Sequence, residues 1–109
     1  MSRTLRIIER ARSDVDDIFN WLVHRSVKGA ISWYLALHRA IDKIAASPEV
    51  FADAAESHSL SRQLRQAPFK TRQGRVYRIV FEVSDAKIMI LRVRGPGQNP
   101  VRRRDLPGQ

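Results

Sequence analysis

Six basic side chains in the last third of the chain have the chemistry to act on an anion: Lys70, Arg72, Arg75, Arg78, Arg92 and Arg94. A guanidinium offers a planar fork of donors matched to phosphate and carboxylate oxygens. Several of them converging could hold a phosphodiester and stabilise the charge that develops on it during cleavage. A lysine crowded by other cations has its pKa depressed and can serve as base or electrostatic activator. The rest of the chain offers little competition. Cysteine is absent, which excludes disulfides, thiolate metal sites and thiol nucleophiles. His24 and His38 lack a carboxylate–histidine spacing, and Ser57-His58-Ser59 has no strand–turn–helix setting to activate a serine. No metal and no cofactor is expected.

Positioning such side chains requires a sheet, and the sequence supplies one. Residues 75–83 alternate, with Tyr77, Ile79, Phe81 and Val83 on one face and Val76, Arg78, Val80 and Glu82 on the other. Ser84-Asp85-Ala86 turns the chain into residues 87–94, where Met89, Leu91 and Val93 alternate with Ile88, Ile90, Arg92 and Arg94. A three-residue loop pairs Arg78 near Arg92 and Phe81 beside Met89; a loop one residue shorter exchanges the faces. Phe69–Arg72, with Lys70 and Arg72 on one side, reads as a third strand, and residues 4–9 as a first one.

Between these strands lie two amphipathic helices. Ser13 is the expected cap of the first, with Asp14, Asp16 and Asp17 in its opening turn and Val15, Ile18, Phe19, Leu22 and Val23 as its apolar stripe. The second carries Ala30, Trp33, Tyr34, Leu37, Ile41, Ile44 and Ala45 and ends before Pro48. Residues 49–67 read as loop with one helical turn near Ser59–Leu64. The expected fold is α+β, in the order β-α-α-β-β-β, with an antiparallel helical hairpin on one face of a small twisted, mainly antiparallel sheet. That hairpin should cover Tyr77, Ile79, Phe81 and Val83, leaving Arg78, Arg92 and Arg94 on an uncovered face with only Glu82 as counter-ion.

The 109 residues allow one domain, expected over 1–97, with a basic mobile tail over 98–109. The net charge of +9 is unevenly placed: residues 1–61 balance eight basic against eight acidic side chains, and residues 62–109 hold twelve against three. Such an excess points to a polyanion or an acidic protein. No stretch approaches the roughly 20 apolar residues of a membrane span, so a soluble cytoplasmic protein with no membrane partner is expected.

Taken in order, residues 11–18 (Ala-Arg-Ser-Asp-Val-Asp-Asp-Ile), the helical hairpin from Ala30 and Trp33 to Ser47-Pro48, Val76-Tyr77-Arg78-Ile-Val-Phe-Glu-Val and Lys87-Ile-Met-Ile-Leu-Arg-Val-Arg-Gly95 resemble the RelE/ParE superfamily of toxins from bacterial type II toxin–antitoxin modules. The resemblance implies a cognate small antitoxin that assembles with the toxin into a hetero-oligomer, and one of two targets. RelE-like members cut mRNA on the ribosome without a metal; on that branch Arg78 is the phosphate clamp, Lys70 and Arg72 the basic pair, and Arg75, Arg92 and Arg94 nucleic-acid contacts. ParE-like members poison DNA gyrase. A non-enzymatic nucleic-acid-binding module is the third reading. The RelE pattern is incomplete here, since no tyrosine follows Tyr77 and Gly95-Pro96-Gly97-Gln98 stands where a further basic residue is usual.

Overall fold

The computed structural model describes residues 3–72, 74–98 and 100–106, with Ser59 described by its backbone alone. Strand β1 (Thr4–Ile7) leads into helices α1 (Glu9–Val23) and α2 (Val27–Ala46). A 3-10 turn (Pro48–Val50) and short α3 (Glu56–Leu60) follow, then β2 (Leu64–Phe69), β3 (Tyr77–Val83), β4 (Lys87–Arg94) and a second 3-10 turn (Arg103–Asp105). The four strands form one sheet in the order β1-β4-β3-β2, with β1 parallel to β4 and the other pairs antiparallel. The α+β fold with a helical hairpin on the sheet is as expected, and the helical turn expected near Ser59–Leu64 lies a few residues earlier, as α3.

Helix α1 begins five residues earlier than the Ser13 cap predicts. Ile8 is its N-cap and makes no side-chain capping bond. The start is set by tertiary structure: the Ile8 N–H continues the β1 ladder to the Ile90 carbonyl, and the chain turns into helix directly behind it. Asp14 therefore lies inside the helix, on the buried stripe with Ala11 and Ile18. Helix α2 opens as a capped helix should, with the Ser26 hydroxyl accepting the Gly29 N–H at 2.9 Å. It ends at Ala46, before Pro48. Its inner face is Ala30, Trp33, Ala36, Leu37, Ala40 and Ile44. Tyr34, expected in that stripe, is exposed and packs its ring against Phe19 and His38.

The hairpin covers Tyr77, Ile79, Phe81 and Val83 together with Ile88, Ile90 and Val93, and Trp33 packs on Phe69 and Tyr77. The β3–β4 register differs from the expected one. Phe81 faces Ile90 and Glu82 faces Met89, whereas Arg78 faces Arg94 and Val80 faces Arg92; a bulge at Leu91 takes up the difference. The bulge turns Ile88, Ile90 and Val93 toward the helices and leaves Leu91 on the other side. Strand β2 also sits earlier than Phe69–Arg72. Its residues Leu64–Phe69 hide their strand character behind Arg65, Gln66 and Pro68, and proline is tolerated because β2 is an edge strand.

The second sheet face is covered too. Val101 and Leu106 pack with Ala54, Leu64, Val80 and Leu91 into a smaller core, so the described part of the expected tail is an ordered strap across the sheet. Residues 99 and 107–109 of that tail lie outside the described residues. Among the described residues no helix is long and apolar enough to cross a membrane.

Candidate functional site

The strap and α3 bring carboxylates to the arginines of the second face. Arg78 grips Glu56 with both terminal nitrogens: Nη1 donates to Oε1 at 2.9 Å and Nη2 to Oε2, while Nη1 also reaches Gln66 Oε1 at 3.2 Å. Glu56 is buried and accepts the Val101 N–H at 3.0 Å, so one carboxylate joins α3, β3 and the strap. Burial alone would raise the Glu56 carboxyl, but the Arg78 guanidinium and the Val101 amide outweigh it and hold its pKa below the ordinary value.

Arg92 is buried and not available to a nucleic acid, which corrects its reading as a contact residue. Its Nε donates to Asp14 Oδ2 at 2.7 Å and its Nη2 to Oδ1 at 2.8 Å, while Nη1 lies 3.0 Å from Asp105 Oδ1 in a contact that is not an aligned hydrogen bond. Asp14 raises the Arg92 pKa further. The same Asp14 Oδ2 accepts the Val93 N–H at 2.9 Å. That amide lies beyond the end of β1, which pairs with β4 only as far as Ile7–Ile90, and the carboxylate replaces the missing strand.

Asp105 gathers three guanidinium groups: Arg10 at 3.2 Å, Arg92 at 3.0 Å and Arg94 at 3.6 Å. Burial pushes its carboxyl up, but the Arg102 N–H and these arginines pull it below the ordinary carboxylate value. Arg94 is largely covered, and burial together with the Arg92 charge lowers its pKa. Glu82, expected as the one counter-ion of this face, is taken by Arg62, whose Nη2 and Nε donate to it at 2.6 and 3.1 Å. The sheet arginines are therefore held by Glu56, Asp14 and Asp105, none of which lies on the strand pair that carries them.

The remaining predicted residues go elsewhere. Lys70 and Arg72 lie past the end of β2, exposed in the connection to β3, and Arg75 lies at the far side of the same connection. Lys70, Arg72 and Arg78 thus do not share a strand face. Ser57 is structural: its hydroxyl donates to the Arg62 carbonyl and accepts the Leu64 N–H.

Sequence reading missed two surfaces. A cleft of about 820 Å³ opens between the α1–α2 junction and the sheet end, lined among others by Trp21, Arg25, Trp33, Arg75, Tyr77 and Gln98. At its rim the Arg25 guanidinium sits 4.1 Å above the Trp21 ring. Val27, Ile31 and Leu35 form an exposed apolar row on α2 at i, i+4 and i+8. The signal was present as a second set of apolar residues on α2 outside the inward stripe.

No curated protein matches the chain significantly by sequence. A solved structure, the RelBE2 toxin–antitoxin complex from Mycobacterium tuberculosis, contains a chain that is 20% identical, with a TM-score of 0.45 over 87% of this chain and 99% of that one. Residues 5–100 match the family described as the ParE toxin of type II toxin–antitoxin system, parDE. The match takes in β1, the helical hairpin and all the strands, and the chain belongs to this ParE toxin family of type II toxin–antitoxin systems.

Proposed function

We propose that this toxin works by protein contact, inhibiting DNA gyrase, and that it does not cut mRNA. The observation that carries the reading is the engagement of Arg78 by the buried Glu56 carboxylate. To clamp a scissile phosphate, Arg78 would have to give up both of its bonds to the buried Glu56 carboxylate, and separating a buried ion pair costs on the order of 3–5 kcal/mol. Lys70 and Arg72, the other members of a RelE-type set, stand in an exposed connection off that strand face. Purified toxin should abolish ATP-dependent supercoiling by gyrase and leave transcripts in a translating extract intact, and Lys70→Ala should remain fully toxic. Cleaved transcripts with normal supercoiling would defeat this reading.

An antitoxin partner follows from the toxin family, and we place its neutralising segment on the exposed row Val27, Ile31 and Leu35. An amphipathic acidic helix suits it: the apolar residues provide the groove contacts, and the +9 chain attracts the segment. Ile31→Asp should weaken the antitoxin complex at least tenfold by titration calorimetry and leave the thermal midpoint within a few degrees, since the side chain is already half in water.

A further inference from the structure

The ion pairs of the second face change where the free charge of the basic half lies. Arg62, Arg78, Arg92 and Arg94 are all held by carboxylates. Among the described residues, no ion pair holds Lys70, Arg72, Arg75 or the triplet Arg102-Arg103-Arg104, and all six are exposed.

The chain segments that lead to these two groups leave the same end of the sheet. Phe69 pairs with Tyr77 in the last row, and Arg78 with Pro68 and Arg94 in the row before it. The connection carrying Lys70, Arg72 and Arg75 starts beyond that row, and so does the turn at Gly95–Gln98 that leads into the strap. Residues of both segments, Gly74 and Arg75 on one side and Gly95, Pro96 and Gln98 on the other, line one cleft.

The triplet is also mounted rigidly. Val101 is buried and its N–H is held by Glu56; Asp105 and Leu106 are buried on the other side of it. The Arg102 N–H donates to Asp105 Oδ2 at 2.9 Å, and the Leu106 N–H to the Arg103 carbonyl at 3.1 Å. Backbone amides and inward side chains are thus consumed by the fold, and three consecutive arginine side chains extend into water from a fixed backbone. An ordered backbone spares the cost of ordering the strap when an anion binds.

We infer that Arg102-Arg103-Arg104 is a docking surface for the phosphodiester backbone of nucleic acid, separate from any catalytic role of the sheet arginines. Three arginines answer successive phosphates better than isolated carboxylates, and binding of this kind releases condensed counter-ions. The inference does not rest on the gyrase reading, because its test contains no topoisomerase.

The test is fluorescence anisotropy of the full chain with a 20-base-pair random DNA duplex across a salt series, with single-stranded RNA of equal length and poly-glutamate as parallel arms. The wild-type protein should bind the duplex with an affinity that falls steeply as salt rises. Replacing Arg102, Arg103 and Arg104 together by Gln should reduce the slope of log affinity against log salt by about 2–3, near 0.9 per lost phosphate contact. Lys28→Gln/Arg39→Gln/Lys43→Gln, which removes the same charge from exposed positions on α2, should change it by less than one. The three single arginine variants are measured as well, so that a misfolded triple variant still leaves a reading. Comparable loss with RNA supports the phosphodiester surface and shows that it does not discriminate the sugar. Equal slopes for the strap and α2 variants, an unchanged slope in the strap variants, or poly-glutamate binding as tight as the duplex and lost with it would overturn the proposal.

Discussion

Asp14 performs two tasks that usually fall to different groups: it neutralises Arg92, and it accepts the Val93 N–H at a strand edge that β1 is too short to pair. Removing it strips a buried guanidinium of its two aligned hydrogen bonds, leaving it only the Asp105 contact, and leaves a buried amide without its acceptor. Asp14→Ala should therefore lower the unfolding free energy by about 3–5 kcal/mol in urea denaturation. Asp14→Leu/Arg92→Met, which removes both charges and keeps the volume, should recover a large part of that loss, and strict additivity of the two single changes would contradict the coupling. These contacts also explain why the site was only half legible. Arg78, Arg92 and Arg94 read correctly as inhabitants of one face, because strand alternation places them there. Their counter-ions were invisible, since Asp14 lies 78 residues from Arg92 and Glu56 lies 22 residues from Arg78. A basic strand looks the same in sequence whether its charge awaits a ligand or is already neutralised by the fold.

At the scale of elements, legibility followed periodicity. The helical hairpin and β3 announce themselves by strong apolar repeats, and the face of β3 expected under the helices is the one they cover. Phe81 is fully buried there and meets Phe51 edge to face at 5.8 Å. Phe81→Ala should cost about 3–5 kcal/mol, a loss measurable as a shift of the urea midpoint with little change in slope. The elements that escaped were those whose cause is tertiary. Helix α1 starts at Glu9 because β1 delivers the chain there, which overrides the local capping preference of Ser13. The bulge at Leu91 shifts the β4 register without any glycine to mark it. The strap is five-sevenths charged or proline by composition over residues 100–106 and still packs, because Val101 and Leu106 fill the apolar patch around Leu64, Val80 and Leu91. Val101→Asp should accordingly destabilise the domain, whereas Arg103→Gln, exposed on the same strap, should leave its thermal midpoint within about a degree or two.

The whole molecule carries 20 basic side chains against 11 acidic ones and holds together at neutral pH because its few buried carboxylates are placed among arginines. That arrangement makes it sensitive to acid. Glu56 and Asp105 both have folded-state pKa values below their ordinary ones, in each case because arginine and backbone N–H contacts outweigh the effect of burial. A carboxyl depressed on folding contributes stability that is fully present above its unfolded pKa, near 4, and is lost as pH falls through the folded value. Between pH 7 and 5 these two groups should therefore leave stability unchanged. Below about pH 4 their protonation releases Arg78 from Glu56 and frees Arg10, Arg92 and Arg94 from Asp105 while every Lys and Arg stays charged, so ion-pair loss and mutual repulsion act together. Thermal unfolding followed by circular dichroism should show a plateau above pH 5 and a steep fall between about pH 4 and 2. Glu56→Gln/Asp105→Asn should start lower on the plateau and fall less steeply, since two of the titrating groups are gone. Added salt should raise the wild-type midpoint most at the acid end, where the uncompensated charge is largest. An acid limb of equal steepness in the double variant would locate the acid sensitivity in other carboxylates and remove Glu56 and Asp105 from this role.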